Sequence, residues 1–203
     1  KMYEKLEPLA EATSCWDIFT WKNLGNSPKE ILLKKRALSI NSAEKILGTV
    51  AFYNFIIKKL NCENYTEEIF NYFFLLDEAY NLKIDNLFDF AKRVMSDFDY
   101  KGYKLGVVYG IDGDYQSIIA DKILYDKKLN YEVVAFLNVY GTVSFRSKNN
   151  IDVSEIAKKL GMIVGYSGGG HKHASGCRIC DKDEMKKKMM EIFEHSMNKI
   201  KIL

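Results

Sequence analysis

The densest chemistry in the chain lies in Gly165-Tyr166-Ser167-Gly168-Gly169-Gly170-His171-Lys172-His173-Ala174-Ser175-Gly176. Each glycine costs backbone entropy when it is ordered, so Gly168–Gly170 has no intrinsic preference for helix or strand. Such a run suits a sharp turn, or a backbone that lies directly against a ligand. Without Cβ atoms, successive N–H groups can converge on an anion, most often a phosphate. His171 adds a titratable donor and Lys172 a fixed cation. Two familiar phosphate loops do not fit. The Walker loop needs Gly-Lys-Ser/Thr where this chain has Gly170-His171, and the dinucleotide fingerprint needs a third glycine where His173 stands. A plain glycine turn explains the glycines taken alone equally well.

A second group lies upstream, in Thr142-Val143-Ser144-Phe145-Arg146-Ser147. Strand alternation puts Val143 and Phe145 on one face, and Thr142, Ser144 and Arg146 on the other. The apolar face meets a core. The polar face then presents a hydroxyl and a guanidinium in line, and a strand-held arginine suits bidentate phosphate binding. An ordinary solvated edge strand is the competing reading. His171-x-His173 with Cys177-x-x-Cys180 has the residue types of a zinc site. Cysteines three apart in a strand point to opposite faces, however, and zinc leaves the glycines unexplained. Cys177 and Cys180 read better as core thiols.

Gly168, Gly169, Gly170, His171, Ala174 and Gly176 together resemble the GGGHxxAxG signature of the DHH-associated C-terminal domain of DHH (Asp-His-His) family phosphoesterases. Ser144, Arg146 and Ser147 match its Ser-x-Arg-Ser strand. The likeness covers about Lys101 to the end of the chain. It implies a substrate-binding role for Ser144, Arg146, Ser147, Gly168, Gly169, Gly170, His171, Ala174 and Gly176. It also implies a metal-dependent phosphoesterase, an exonuclease or oligoribonuclease, acting on short oligonucleotides or related nucleotide phosphates. The divalent metal, Mn2+ by the same likeness, would be held mainly by a catalytic domain outside this sequence. The chain has three histidines, none of them after an aspartate, so the Asp-His-His triplet does not occur. The chain is therefore expected to be the C-terminal part of a longer protein, inactive alone, with a homodimer as a further expectation. Asp17, beside Trp16, corresponds to a family metal ligand that the missing domain would complete. Its competing role is structural, as part of an aromatic anchor from Trp16 to Trp21. The other functions in view are a non-catalytic nucleotide- or RNA-binding module and an exopolyphosphatase or pyrophosphatase of the same family.

Composition sets the bounds. In 203 residues, 47% are hydrophobic, and 30 basic against 27 acidic residues leave a net charge of only +3. That balance excludes a broad polyanion-binding surface and points to a local site. Two prolines and thirteen glycines argue against disorder. The longest apolar run, Leu47 to Ile57, is broken by Thr49 and Asn54 and is too short to span a bilayer. It reads as a buried helix. Four cysteines without framework spacing fit reduced thiols and a cytoplasmic location, with no membrane partner.

These patterns predict an α/β chain: a helical region over 1–100 that links to the catalytic domain, then a small mixed sheet with flanking helices over 101–203. A helix and an irregular stretch occupy 1–24. Ser27-Pro28-Lys29-Glu30 is a capping box opening a helix to about Leu38. Ser42 opens a second, carrying Ile46, Leu47, Val50, Tyr53 and Ile57, and Thr66 a third. A fourth carries Leu87, Phe88, Ala91, Val94, Met95 and Phe98 at helical spacing. Phe73 and Phe74 read as core. Strands follow at Leu105 to Tyr109, within Tyr131 to Tyr140, and at Thr142 to Arg146, the last two as a hairpin. Asp114 caps a helix to about Tyr125. Asp152 and Glu155 box a helix to about Leu160 that Gly161 ends. After the glycine loop comes a strand to about Cys180. Asp181 or Asp183 starts the last helix, with Lys186, Lys187 and Lys188 on a solvated face.

Overall fold

The computed structural model describes residues 2–60, 65–138, 140–148, 151–180, 191 and 193–198, with side chains from residue 6 on. The chain divides into two compact units, Lys1–Lys83 and Ile84–Leu203.

The first unit is helical. Helix α1 spans Met2–Asp17, and a single 3-10 turn follows at Thr20–Lys22. Helix α2 (Pro28–Leu47) starts where the capping box predicts. The Ser27 side chain accepts from the Glu30 N–H and the Glu30 carboxylate accepts from the Ser27 N–H, with Pro28 in the first turn. The Ser27 hydroxyl, then the Gly25 and Ser27 N–H groups, donate to the Glu30 carboxylate and hold it below its usual range. The break expected between Leu38 and Ser42 does not occur. Ser42 is buried inside α2, where its hydroxyl bonds the Leu38 carbonyl at 3.3 Å and Asp77 at 2.5 Å. A mid-helix serine that bonds back to the preceding turn does not interrupt the helix. Gly48 separates α2 from α3 (Thr49–Lys59). Helix α3 is not the fully buried helix expected: Phe52 is buried, but Val50, Tyr53 and Ile57 are exposed. The expected third and fourth helices are one, α4 (Tyr65–Val94). Its Phe73 is fully buried and stacks on Phe52 at 5.3 Å, so these aromatics are core.

The second unit is a mixed sheet with helices. After the end of α4 come β1 (Ser96–Tyr100), β2 (Tyr103–Tyr109), α5 (Gly113–Tyr125), β3 (Val133–Leu137), β4 (Thr142–Ser147), α6 (Val153–Ile163), β5 (Gly168–His171) and β6 (Ala174–Arg178). The six strands run in the order β1-β2-β3-β4-β6-β5. Strands β2 and β3 are parallel, joined through α5, and every other pair is antiparallel. Strand β1 was not expected. Phe98 belongs to it rather than to a helix, because the chain turns back at Lys101-Gly102 to pair Ser96–Tyr100 with β2.

One face of the sheet presents Leu105, Val107, Val133, Ala135, Leu137, Val143 and Phe145 to a core shared with Ile156, Ala157 and Leu160 of α6. The alternate set, Val108, Val134 and Phe136, is equally buried and faces α5, which packs over β3 and β4. Helix α6 begins with the Asp152 side chain accepting from the Ser154 N–H at 2.9 Å, a simple cap rather than the expected box with Glu155. Gly161 does not end α6. It lies buried inside it, and a Cβ there would stand 2.9 Å from the Gly168 nitrogen. The proposed start of the last helix and its three lysines lie outside the described residues. Residues 193–198 are helical, with Phe193 and Met197 in the core.

Candidate phosphate-binding face

The glycine run is not a loop. Gly168–His171 is strand β5, paired with β6 in the register Gly168↔Cys177, Gly169↔Gly176, Gly170↔Ser175 and His171↔Ala174. Lys172 and His173 form the turn. Among the described residues β5 is one edge of the sheet, opposite β1. Consecutive amides of a paired strand alternate between its partner and the open side. The convergent amide nest expected of a loop is therefore replaced by a strand whose alternate N–H groups face outward.

Gly168 shows why glycine is required. A Cβ there would lie 2.0 Å from the Ala157 carbonyl oxygen and 2.8 Å from the Cys177 Cβ. Strand β5 thus lies directly against the backbone of α6, with Gly161 as the matching gap on the helix side. Gly169 is glycine for another reason. Its Cβ would meet nothing nearer than 3.8 Å, but its φ of +154° is a conformation that side chains disfavour.

The antiparallel registers carry the rows across three strands. Arg146 of β4 lies opposite Ala174 of β6, which lies opposite His171 of β5. In the next row Ser144 faces Gly176, and Gly176 faces Gly169. With strands about 4.8 Å apart, Arg146 and His171 stand about 10 Å apart across a floor of small residues. Arg146 and Ser144 are half-buried and His171 is exposed. The Arg146 guanidinium donates to the Phe145 carbonyl at 3.1 Å. Two backbone bonds fix the β5–β6 tip: Ser147 N–H to the His173 carbonyl at 3.3 Å, and Val153 N–H to the Lys172 carbonyl at 2.8 Å.

Not every sequence candidate joins these rows. Ser147 shares the parity of Val143 and Phe145, on the α6 side. Its hydroxyl donates to the Ile151 carbonyl at 2.8 Å and lies 3.4 Å from His173 Nδ1. Gly168 and Gly170 pair with the buried Cys177 and Ser175 rather than with the open row. Asp17 ends α1 in the other unit. It borders an apolar groove of about 490 Å³ lined by Leu9, Trp16, Phe52 and Tyr53, and Trp16 stacks on Trp21 at 5.7 Å. Among the described residues no three His, Cys, Asp or Glu side chains group to hold a metal ion. A lone Asp17 does not make such a site. Sequence reasoning missed Arg178, the exposed last residue of β6, opposite Thr142. Its parity with Ala174 and Gly176 was readable, but only once the extent of β6 was known.

Zinc fails on the same geometry. Burial pushes the Cys177 thiol up to about 12. Both Cys177 and Cys180 lie in the core, not on opposite faces as the spacing predicted. Iodoacetamide at pH 8 is expected to leave Cys177 unmodified in the folded protein and to label it fully in guanidinium, as read by mass spectrometry of a digest. Native labelling would contradict its burial. The sign of the linkage follows. The unfolded chain loses this proton near the ordinary thiol value, while the folded chain holds it to about 12. Above pH ~9 this cysteine therefore makes stability fall as pH rises.

Known proteins agree with the fold. A family profile described as the DHHA1 domain matches residues 102–199. A solved DHH-domain protein, described as a member of the s1p family of ribosomal proteins, superimposes with TM-score 0.59 at 15% identity, over 92% of this chain and 45% of its own. RecJ from Thermus thermophilus superimposes in its Mg2+ complex with TM-score 0.55 at 16% identity, over 96% of this chain and 30% of its own. Its Mn2+ complex gives 0.55 at 17% identity, over 96% and 28%. The chain thus spans under half the length of these three structures. No curated protein sequence matches it significantly. Among the described residues no helix is long and apolar enough to cross a membrane. The DHHA1 domain profile thus falls on the part of the chain that forms most of the mixed six-stranded sheet, over residues 102–199.

Proposed function

We propose that the face of β4, β6 and β5 bearing Ser144, Arg146, Gly169, His171, Ala174 and Gly176 grips the phosphates of a short oligonucleotide or related nucleotide. In this reading the chain is the substrate-binding part of a metal-dependent phosphoesterase, an exonuclease or oligoribonuclease, that hydrolyses phosphodiester bonds. The observation that carries the reading is the register: it sets a guanidinium and an imidazole in one row, beside a row of Ser144, Gly176 and Gly169. Over β6 and β5 the floor carries only small side chains, so a ligand backbone can lie there beside α5, which covers the same face at β3 and β4. Arg146 would hold a phosphate through its planar fork. Outward N–H groups of β5 and the Ser144 hydroxyl would bond the remaining oxygens, and His171 would donate to a phosphate oxygen. Each charge-assisted bond contributes about 1.5–3 kcal/mol.

The divalent ion would activate the attacking water. This chain's described residues do not assemble a site for it, so Asp17 is at most one ligand of a site completed elsewhere. The chain's own part is to bind and orient the phosphate.

Calorimetric titration with a dinucleotide carrying a terminal phosphate, without metal, tests the reading. Saturable one-to-one binding is expected, and Gly169→Val, which puts a branched side chain at a φ of +154°, should abolish it. Absence of binding by the unaltered chain, or full affinity in the variant, removes the phosphate site from this face.

A further inference from the structure

The same face carries a second cation that the phosphate-binding reading does not use. Arg178 is exposed, and it shares the strand parity of Ala174 and Gly176 on β6. Its backbone is fixed from two sides. Thr142 of β4 lies opposite it, and the next residue, Ile179, donates its N–H to the Gly141 carbonyl at 2.7 Å. Ile179 and Cys180, which follow, are buried. The end of β6 is therefore anchored, and Arg178 projects from a rigid strand rather than from a loop.

Arg146 is level with Ala174, four residues from Arg178 along β6. At about 3.3 Å per residue the two cations stand about 13 Å apart along the face. Between them lie only Gly176 and its row neighbours Ser144 and Gly169. Two cations at opposite ends of a floor without large side chains do not crowd onto one phosphate. They match a ligand with two phosphates joined through one sugar, each gripped from its outer side. We infer that Arg178 binds a second phosphate of the ligand and makes this face select dinucleotides over mononucleotides. The inference rests on the phosphate-binding reading and adds to it the length of ligand that the site measures.

The test compares two probes by calorimetry: a mononucleotide 5′-phosphate, and a dinucleotide with a 5′-terminal phosphate as well as its internal one. The unaltered chain should bind the dinucleotide more tightly. Arg178→Ala should weaken dinucleotide binding about 10- to 100-fold and leave mononucleotide binding unchanged, which also shows that the variant is folded. Its dependence of log affinity on log salt should fall by about 0.7, one phosphate contact to a single strand. Arg178→Lys should restore part of the loss, because charge returns without the fork. Equal losses for both probes, or none for either, would overturn the role of Arg178 while the phosphate site stands. Failure of the unaltered chain to bind either probe would remove the underlying site, and the inference with it.

Discussion

Arg146→Ala will lose about 10- to 100-fold in affinity for a phosphorylated dinucleotide while changing the stability of the fold by less than about 1 kcal/mol. The two effects separate because of where the residue stands. Its neighbours on β4, Val143 and Phe145, carry the core. Arg146 itself is half-buried on the other face, and among the described residues its side-chain bond is to the Phe145 carbonyl at 3.1 Å. Removing it costs the fold one bond at the surface. The ligand loses the planar fork that holds two phosphate oxygens together. Arg146→Lys should recover only part of the affinity, since an ammonium keeps the charge but not the geometry. Calorimetric titration beside a urea melt reads both quantities. Unchanged affinity would exclude Arg146 from the site, and a large loss of stability would mean that its role is to hold the sheet.

Gly168→Ala will have the opposite signature. It will destabilise the sheet unit by about 3 kcal/mol, the upper range for overpacking a close contact. One methyl group suffices, because it would stand 2.0 Å from the Ala157 carbonyl oxygen, a backbone atom of α6 that no rotamer change can move. Either β5 detaches or α6 shifts away from β4, β5 and β6 together. Gly113→Ala is the matched control. Its Cβ would meet nothing within 4 Å, and it opens α5 in an ordinary conformation, so that change should be neutral or slightly stabilising. A shift of the urea midpoint in Gly168→Ala, with none in Gly113→Ala, confirms the packing. Equal behaviour of the two variants would contradict it.

Much of this was legible because the deciding physics is local. The Ser27-Pro28-Lys29-Glu30 cap fixed where α2 starts, since both of its bonds lie within one turn. Alternation in Thr142–Ser147 separated the core-facing Val143 and Phe145 from Ser144 and Arg146, as the burial pattern bears out. What was not legible depends on partners distant in sequence. Glycine disfavours strands, yet Gly168–His171 is one, because β6 offers an edge and α6 leaves no room for a side chain. Gly161 looked like a helix end because its real constraint, the approach of Gly168, comes from outside the helix. Phe98 fitted the apolar spacing of α4, and only pairing of β1 with β2 removed it. Ser147 matched a motif, but its parity and its bond to Ile151 set it on the other side of the sheet. Arg178 drew no notice because nothing nearby marks it, and only the register aligns it with Arg146.

The most direct test of the phosphate-binding face is to record which backbone amides of the labelled chain respond as the phosphorylated dinucleotide is added. Nitrogen–proton chemical shift changes that saturate together are expected. They should concentrate at Ser144, Arg146, Gly169, His171, Ala174 and Gly176, with Arg178 joining for the dinucleotide but not for a mononucleotide. The α6 amides from Ile156 to Leu160, on the other side of the sheet, should stay still. Changes confined to the helical unit, or scattered without saturation, would contradict a phosphate site on this face.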